Sequence, residues 1–499
     1  MKPVFAELDH NSDTSLYVQL YELLRSEILS GGFAADERLP SLRSLSEQLG
    51  ISVTTCARAY DQLMLEGYLE ARPQSGYYVQ KLDPAILPFS RDTEEAGYGR
   101  NNARSGRSNG ESGKYTAESS RNSVRSGRNT GETVPAGSTY VSGAGPVNSS
   151  KYRYDPASFD FDKWRKCFTW VMNNDPEALL TPQDPQGEHA LREQISEYLY
   201  NSRGVAADPD DIVISAGVQQ LTGRLANMLK ELGIDFVNVE DPGYKPIRHI
   251  FRDHDFTLNK ISVAPDGLEI ERLPVNIGTA VYVSPSNQFP TGSVMPAARR
   301  YQLLEWAAKN GSIIIEDDYD SELRYFGNPI PALKNMDTSG RVVYLGSFSS
   351  TLFPAIRISY MVLPEMLSDL FHKSMSDYDQ TCSKLEQLVL AEYMRNGFYQ
   401  AGIRKLRKLY ARKLDKLLEA FERYGGDSIQ AENTRSGITV RLAVRSSKPP
   451  AQLCAEAADQ RLHVVPVTDR QLILYYDQIP IDEIDDAVKD LCAQWTDTR

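Results

Sequence analysis

The sequence predicts an α/β fold for residues 151–499, preceded by a small helical domain that ends in a β-hairpin. Between residues 151 and 499, short apolar runs rich in β-branched residues alternate with longer segments of helical periodicity. Runs that are apolar throughout are typical of a mostly parallel sheet with helices on both faces. At 499 residues, the chain is also long enough to form two or three domains.

Composition and charge exclude several classes of protein. Hydrophobic residues make up 41% of the chain and charged residues 24%, which is ordinary for a globular protein. No apolar run approaches the roughly 18 residues of a membrane span, and the N-terminus lacks the apolar core of a signal peptide, so we expect a cytoplasmic location. The net charge of −12 argues against general binding of polyanions.

The cysteines predict neither a metal site nor a disulfide framework, because they are scattered and no CxxC spacing occurs. They are Cys56, Cys167, Cys382, Cys454 and Cys492.

Residues 1–82 are predicted to form three helices and a hairpin. Apolar residues at helical spacing mark the first helix, which a Gly-Gly pair ends. These residues are Leu16, Leu20, Leu23, Leu24 and Ile28. Ser41 and Ser52 can each cap a short helix, and Gly50 turns the chain between them, which predicts a helix-turn-helix. The segment YLEARPQSGYYV contains two alternating runs around a turn and predicts a wing.

A winged helix-turn-helix is typical of DNA-binding domains. We expect its second helix, its recognition helix and its wing to contact phosphates and base edges of double-stranded DNA. The residues predicted for these contacts are Arg43, Ser52, Thr54, Thr55, Arg58, Arg72 and Gly76. Residues 1–82 carry 7 Lys and Arg against 11 Asp and Glu, a net charge of −4, so a single domain is expected to bind weakly. A helical dimerisation module is the alternative interpretation.

The segment 83–150 is predicted to be a disordered linker. Between Gly99 and Ser150 there is no Leu, Ile, Phe or Trp. Such a composition cannot bury enough apolar surface to offset the entropy of ordering the chain. Residues 100–128 hold 7 basic and 2 acidic residues, a net charge of +5. The segment is therefore either a plain solvated linker or a tether that stays near DNA.

Five apolar runs are predicted as strands: DIVIS, DFVNV, AVYVS, SIIIE and VVYLG. Ligands of parallel sheets bind where the strands end at their carboxyl edge. The residues that follow these runs fit a phosphate ligand. They are Gly217, Val218 and Gln219 through their amides, then Tyr244, Asn287, Gln288, Asp317, Tyr319, Ser347, Ser349 and Arg357. Each alone also has a structural explanation, such as a helix cap or a surface ion pair. From about Glu419, the sequence predicts a smaller α+β lobe.

Six motifs give the chain a resemblance to a known family: QDPQGEHALREQI, ISAGVQQ, VEDPGY, PSNQFPTG, IIEDDYDSELRY and GSFSSTLFPAIRISY. The C-terminal region resembles fold-type I enzymes of the aminotransferase class, which use pyridoxal 5′-phosphate (PLP). The N-terminal region resembles the winged helix-turn-helix of GntR-type regulators. The two regions joined by a linker resemble MocR/GabR-type transcription factors.

The resemblance implies a role for each residue at the strand ends. Tyr244 stacks on the pyridine ring, and Asp317 pairs with the ring nitrogen. Tyr319 binds the phenolic oxygen together with the amide of Asn287 or Gln288. The phosphate is held by Ser347, Ser349, Arg357 and the amides of residues 217–219. These roles agree with general chemistry, because a buried phosphate needs arginine and amide donors and a protonated ring nitrogen needs a carboxylate.

The family motif SFSKT has a lysine where this chain, with SFSST, has Ser350. The lysine forms the Schiff base with PLP and moves a proton during transamination, which a serine hydroxyl cannot do near neutral pH. We therefore expect Ser350 to line the cofactor pocket, with PLP bound noncovalently or as an external aldimine. Lys245, beside Tyr244, is an alternative source of the missing amine.

The first hypothesis is a DNA-binding regulator whose aminotransferase-like domain binds PLP or its amine adduct as a sensor, with catalysis lost. The alternative is a PLP-dependent aminotransferase with a fused DNA-binding domain. A regulator that has lost the cofactor and a serine introduced by engineering are further alternatives. By the resemblance, we expect a homodimer and a small amine or amino-acid effector. Arg470 is the candidate for binding an effector carboxylate, and Arg441 is the runner-up.

Overall fold

The computed structural model describes residues 8–9, 16–72, 75–80, 155–325, 331–374, 377–432 and 437–496. The predicted linker 83–150 lies outside these residues. Within the described part of the chain, no helix is both long and apolar enough to cross a membrane.

Residues 16–80 form a winged helix-turn-helix. Its elements are α1 (Leu16–Leu29), α2 (Leu42–Leu49), α3 (Val53–Leu65), β1 (Leu69–Arg72) and β2 (Gly76–Val79). The Ser41 side chain accepts the amide of Ser44 at the start of α2, and Gly50 ends α2 in the left-handed conformation with φ of 63°. The two strands pair antiparallel. The predicted helix-turn-helix and wing are therefore confirmed.

The larger part of the described chain is built on an eight-stranded sheet. Its strands are β3 (Ile212–Ser215), β4 (Phe236–Asp241), β5 (Thr257–Ala264), β6 (Gly267–Leu268), β7 (Ala280–Val283), β8 (Ile313–Asp317), β9 (Val342–Ser347) and β10 (Ser359–Val362). They lie in the order β3-β10-β9-β8-β7-β4-β5-β6. All neighbours from β9 to β5 in this order run parallel, which confirms the prediction of a mostly parallel sheet.

The sequence does not predict β10. This strand lies between β3 and β9 and runs antiparallel to both. Its first residue, Ser359, is opposite Ser215 of β3 and Ser347 of β9. Three serines therefore meet at the edge of the sheet where β3 and β9 end.

Helices cover both faces of this sheet. They are α4 (Phe161–Asn174), α5 (His189–Arg203), α6 (Val218–Glu231), α7 (Lys245–Asp253), α8 (Ala297–Asn310), α9 (Leu333–Met336), α10 (Glu365–Ser374) and α11 (Lys384–Arg395). On one face, Leu191 of α5 and Val389 of α11 share a core with Ile214 of β3. On the other face, Leu221 of α6 shares a core with Val213 of the same strand. Successive residues of β3 thus point to opposite faces, both of them buried.

A smaller α+β lobe completes the described chain. Its elements are α12 (Phe398–Tyr424), β11 (Ile429–Glu432), β12 (Thr439–Val444), α13 (Pro450–Asp459), β13 (His463–Pro466), β14 (Gln471–Tyr475) and α14 (Ile484–Trp495). Its antiparallel sheet has the order β11-β12-β14-β13. Leu406 and Leu414 of α12 belong to the core of this lobe. The boundary predicted near Glu419 falls inside α12, because helical periodicity continues through it without a break.

The N-terminal domain packs on α8. The amide of Ala297, the first residue of α8, donates to the carbonyl of Glu66 at 2.8 Å. Ala297 and Tyr301 also join the apolar core of the N-terminal domain. The Glu66 side chain is buried and accepts the hydroxyl of Tyr21 at 2.7 Å, and burial raises its pKa. The end of α3 is thereby fixed both to α1 and to the larger domain.

Candidate functional site

The carboxyl ends of β3, β9, β8, β7 and β4 lie along one edge of the large sheet. β3 is antiparallel to β10 and β10 is antiparallel to β9, so β3 runs in the same direction as β9. Polar residues that follow parallel strands gather at such an edge. We name this region the edge site; its residues are Gly217, Val218, Gln219, Tyr244, Asn287, Asp317, Tyr319, Asp320, Ser347, Ser349, Ser350 and Arg357.

Arg357 and Gly217 form one end of the edge site. Gly217 has a φ of 97°, and a Cβ added there would lie 2.3 Å from Nη2 of Arg357. Only glycine therefore leaves room for the guanidinium at the start of α6. Arg357 is exposed, and among the described residues its side chain makes neither an ion pair nor a hydrogen bond. A free guanidinium beside a helix N-terminus suits a phosphate group.

The three predicted amide donors at the start of α6 are not equivalent. The amide of Gly217 donates to the carbonyl of Ser215 at 2.8 Å, so it is already paired. The amides of Val218 and Gln219 have no backbone acceptor within the described chain. Two of the three donors are thus free to bind an anion.

Hydroxyl groups line the same edge. Ser359 donates to Oγ of Ser347 at 2.9 Å, and the amide of Ser349 donates to that Oγ at 3.3 Å. Ser215 and Thr381 share a hydroxyl hydrogen bond of 2.8 Å. The sequence does not predict Ser359 or Thr381 as site residues, because neither follows one of the predicted strands. Ser215 and Ser359 are fully buried, so the hydroxyls that can meet a phosphate oxygen are those of Ser347, Ser349 and Thr381.

Tyr244 stands immediately before α7 with 37% of its surface exposed. Its hydroxyl accepts the side-chain amide of Gln219 at 3.4 Å, which ties the ring to the start of α6. Burial raises the pKa of this hydroxyl, and the charge of Asp317 adds to the effect. The ring is therefore placed between the phosphate end and Asp317, where its face can meet a planar ligand.

Asp317 is the last residue of β8 and is buried. It accepts the hydroxyl of Tyr282, on neighbouring β7, at 2.5 Å. Burial raises the pKa of Asp317 to about 7, and the charges of Asp318 and Asp320 act in the same direction. A protonated ring nitrogen would stabilise the ionised form of this carboxyl group. The sequence does not predict Tyr282, whose hydroxyl lies inside an apolar run.

The adjacent amides of Asn287 and Gln288 have different surroundings. Gln288 donates its amide nitrogen to the carbonyls of Pro242 and Phe289, at 2.9 and 2.7 Å, and so holds the loop in place. Asn287 is buried, and its side chain makes no hydrogen bond to any described residue. Tyr319 is half-buried and meets the ring of Phe289 edge-on at 6.4 Å. Of the two amides, that of Asn287 is available to a ligand.

Ser350 lies in the turn after β9, where its hydroxyl is close enough to the Asp320 carboxylate to lower the pKa of Asp320 against the larger effect of burial. Asp320 is 7% exposed, and its Oδ1 has no hydrogen-bond partner among the described residues. Burial raises the pKa of Asp320 to about 6. A Cβ added at Gly437 would lie 3.1 Å from Nδ2 of Asn287 and 3.7 Å from Oδ2 of Asp320. We name these four residues the carboxylate niche.

The sequence does not predict Asp320 as a site residue. The signal that could have revealed it is the acidic run EDDYD, which follows the apolar part of β8. This run contains four acidic residues, more than one helix cap or turn would use, which points to a further role for one of them.

The predicted effector arginine does not lie in the edge site. Arg470 is exposed in the turn before β14. Tyr475, at the other end of β14, is the residue near the niche, since burial and then Asp320 raise its pKa. Five residues of extended strand span about 16 Å, so Arg470 is remote from the niche. Arg441 forms an ion pair with Glu432 instead.

The predicted DNA-binding residues of the helix-turn-helix lie on its surface. Arg43 of α2 and Arg58 of α3 are exposed and make no side-chain ion pair with any described residue. Thr54 is also exposed, at the start of α3. Ser52 accepts the amide of Thr55 at 3.0 Å and shares a hydroxyl hydrogen bond of 2.8 Å with it. Those two hydroxyls cap the recognition helix, while the arginines are free to contact phosphates.

The wing holds its arginine in place with local contacts. Arg72 forms ion pairs with Glu70 and, at 2.6 Å, with Asp36, and its guanidinium lies 4.3 Å from the ring centre of Tyr78. Exposed ion pairs of this kind are weak, so a DNA phosphate can compete for the guanidinium. Gly76 begins β2 with a φ of 118°.

Two family models match the chain. Residues 16–79 match the bacterial regulatory proteins of the gntR family. Residues 146–468 match aminotransferase class I and II. The first match covers the winged helix-turn-helix, and the second covers the large sheet and most of the smaller lobe.

Known regulators match both parts together. The chain is 33% identical to the uncharacterized HTH-type transcriptional regulator YdeL of Bacillus subtilis (strain 168), with 98% of each chain covered. It is 32% identical to the probable rhizopine catabolism regulatory protein MocR of Rhizobium meliloti, covering 86% of this chain and 82% of that protein.

A solved structure agrees with this assignment at the level of the fold. Pyrococcus horikoshii kynurenine aminotransferase is similar with a TM-score of 0.60 at 24% identity, covering 69% of this chain and 90% of that one. The aminotransferase class I and II fold binds PLP in general. The chain therefore belongs to the MocR-type transcriptional regulators, in which a GntR-type DNA-binding domain is fused to an aminotransferase class I and II domain.

Proposed function

We propose that this regulator binds PLP, or an amine adduct of PLP, as a signal and does not use it for catalysis. The observation that carries the proposal is the position of Ser350 in the turn after β9, beside Asp320 of the segment that follows β8. By family resemblance this turn carries the Schiff-base lysine. In this chain, the position offers a hydroxyl group and a buried carboxylate but no amine.

The donor set of the edge site fits PLP. A phosphate would be held by Arg357, by the free amides of Val218 and Gln219, and by the hydroxyls of Ser347 and Ser349. The pyridine ring would lie against Tyr244, with its nitrogen on Asp317. Its phenolic oxygen would be bound by Tyr319 and Asn287. When bound in an enzyme, PLP supplies an electron sink for reactions of amines.

The residues around Ser350 do not supply the missing acid–base group. A serine hydroxyl is a poor base near neutral pH, and losing general acid–base assistance costs roughly 10²–10⁴-fold in rate. Asp320 is occupied by Ser350 on one side. Lys245, the alternative amine, is exposed at the first residue of α7. Binding without sustained turnover follows from this set of groups.

A short loop connects the edge site with the DNA-binding domain. The loop leaves β7, carries Asn287 and ends at Ala297, whose amide is bonded to Glu66 at the end of α3. Arg300 of α8 braces it by donating to the carbonyls of Pro285 and Met295, each at 2.9 Å. A ligand that moves Asn287 can therefore act on the recognition helix. Regulation requires only that the ligand bind two arrangements with different affinity, and about 1.4 kcal/mol shifts their ratio tenfold.

We expect the regulator to work as a homodimer on a two-part operator. Large apolar side chains of α4 are at least 40% exposed: Phe161, Phe168, Trp170 and Met172. Three of them recur at intervals of seven and four residues and so share one face of the helix. Exposed aromatic clusters of this kind are typical of protein interfaces.

Titration of the purified protein with PLP, followed by absorbance and DNA-binding measurements, tests the proposal. Wild type should bind PLP saturably and change its affinity for operator DNA. Arg357→Ala should weaken PLP binding at least tenfold, because it removes the charged phosphate ligand. Arg404→Ala, an exposed arginine on α12, is the matched control and should bind as wild type does. Transamination of an amino acid at a steady rate would instead support an aminotransferase with a fused DNA-binding domain.

A further inference from the structure

We propose that the carboxylate niche selects the aminated form of the coenzyme, pyridoxamine 5′-phosphate, by pairing its free ammonium group with Asp320. This inference rests on the proposed function, since it concerns the same edge site. It adds the chemical class of the ligand, which is a phosphorylated pyridine carrying a primary ammonium group at C4′.

Asp320 is a buried carboxylate with spare hydrogen-bonding capacity. It is 7% exposed, and the nearby hydroxyl of Ser350 and backbone amide of Ile438 only partly offset the effect of burial on its pKa. Its Oδ1 is buried without any partner within the described residues. A buried carboxylate oxygen without a hydrogen-bond donor costs free energy of folding. A ligand that supplies a donor removes this cost and therefore binds more tightly.

The charges around Asp320 favour a cation. The titratable groups whose charges are coupled to it are Asp317, Tyr319, Tyr325, Tyr410, Tyr475, Tyr476 and Asp477. All of them are neutral or negative. Among the described residues, no lysine or arginine side chain forms an ion pair with Asp320. The niche therefore has a local excess of acids that one ammonium group would offset.

The place of the niche within the edge site matches the place of C4′ in the ligand. Ser350 lies in the turn where the family's lysine meets that carbon, and Asp320, from the segment after β8, lies beside it. Asn287, which is proposed to bind the neighbouring phenolic oxygen, belongs to the same niche. The Nδ2 atom of Asn287 and the Oδ2 atom of Asp320 both lie next to Gly437. A ligand anchored by its phosphate at Arg357 and by its ring nitrogen at Asp317 would direct its C4′ group at Asp320.

Three phosphorylated pyridines differ only in that group. Pyridoxal phosphate has an aldehyde, pyridoxine phosphate an alcohol and pyridoxamine phosphate an ammonium group. The aldehyde gains no covalent bond here, because the turn holds no amine. The alcohol gains a hydrogen bond in which only the Asp320 acceptor is charged, whereas the ammonium group gains one in which donor and acceptor carry opposite charges, so a Coulombic attraction is added.

Calorimetric titration of the full chain with each of the three compounds, at one pH, tests the inference. We expect pyridoxamine phosphate to bind at least tenfold more tightly than pyridoxine phosphate. In Asp320→Asn, which keeps the size of the side chain but removes its charge, this difference should fall below threefold. Asp415→Asn, the same substitution at an exposed acid of α12 outside the edge site, is the matched control and should retain the preference.

Equal affinity of wild type for the amine and the alcohol, or an unchanged preference in a folded Asp320→Asn variant, would overturn the inference and leave the proposed function intact. Failure of folded wild type to bind any of the three compounds would overturn both. If Asp320→Asn does not fold, as its melting curve would reveal, the comparison of amine and alcohol in wild type decides the question alone.

Discussion

Several carboxyl groups in the edge site and next to it are buried and have raised pKa values. Burial raises the pKa of Glu240 to about 8 and that of Asp317 to about 7. Glu240 accepts the amide of Gln288 at 3.2 Å, which connects it to the loop of Asn287. A cluster of buried acids is a common property of sites that receive a cationic ligand.

Replacing Glu240 by Gln should change how stability depends on pH. The pKa of Glu240 is higher in the folded than in the unfolded chain, so its neutral form stabilises the fold below about pH 5 and this contribution is lost as pH rises through about 8. Gln mimics the neutral form at every pH. The melting temperature of Glu240→Gln minus that of wild type should therefore increase by several degrees between pH 5.5 and 8. Parallel melting temperatures at all pH values would contradict the assignment.

Gly217→Ala should weaken binding of the phosphate. The new Cβ would lie 2.3 Å from Nη2 of Arg357, so the guanidinium must move. The alanine would also have to keep the backbone φ of 97°, which is strained for any residue with a Cβ. We expect at least a tenfold loss of PLP affinity by fluorescence titration. Gly223→Ala, on the same helix, is the control, because its Cβ would meet only His254 at 3.7 Å. Similar affinities for the two variants would show that Gly217 does not shape the phosphate site.

Site residues that directly follow a predicted strand could be found from the sequence. Site residues whose position depends on which strands and lobes lie next to each other could not. Asp317 and Arg357 follow runs of β-branched residues, and their side chains are the chemically expected ligands. Ser359 reaches the edge because β10 is inserted between β3 and β9, and Thr381 meets it from the loop before α11 through its hydrogen bond with Ser215. Asp320 needs the small lobe to bury it, since Gly437 closes its niche.

Among the elements, the five predicted strands were recognisable because each is a short run buried on both faces. β10 is buried as well, but its direction and its neighbours are set by long-range packing that local propensity does not encode. The same limit applies to α12, whose unbroken periodicity hides the start of the smaller lobe.

The contact between α3 and α8 is the element through which a ligand signal should pass. Glu66→Ala keeps the backbone bond to Ala297 but leaves Tyr21 without its acceptor, so the end of α3 at this contact is no longer fixed to α1, at a cost of about 1–3 kcal/mol. We expect PLP affinity to stay unchanged while the effect of PLP on operator affinity falls by at least half. Glu47→Ala removes an exposed acid of α2 and is the charge-matched control. A full PLP effect on operator binding in Glu66→Ala would place the coupling elsewhere.

For the molecule as a whole, assembly should compensate for the weak DNA affinity of one domain. The N-terminal region 1–82 has a net charge of −4, so the contacts to phosphates depend on a few exposed arginines. Two domains held together bind a two-part operator far more tightly than one.

Phe168→Arg should therefore reduce both self-association and operator affinity. Phe168 is 40% exposed and shares one face of α4 with Phe161 and Met172, and a charge there would disfavour burial of this face against a second copy. Light scattering should show the mass of a dimer for wild type and a shift to monomer for the variant. Tyr378→Arg, at an aromatic residue that is 55% exposed outside α4, should remain dimeric. A dimer of unchanged stability in Phe168→Arg would locate the interface on another surface.

One experiment can measure whether the chain binds PLP without forming a covalent bond to it. Protein saturated with PLP is reduced with borohydride, and its intact mass and peptides are compared with those of untreated protein. We expect a saturable change in PLP absorbance before reduction and no stoichiometric adduct afterwards, because Ser350 stands where an amine would be needed. A stoichiometric reduced adduct on one lysine, or the absence of any absorbance change, would refute recognition without covalent attachment.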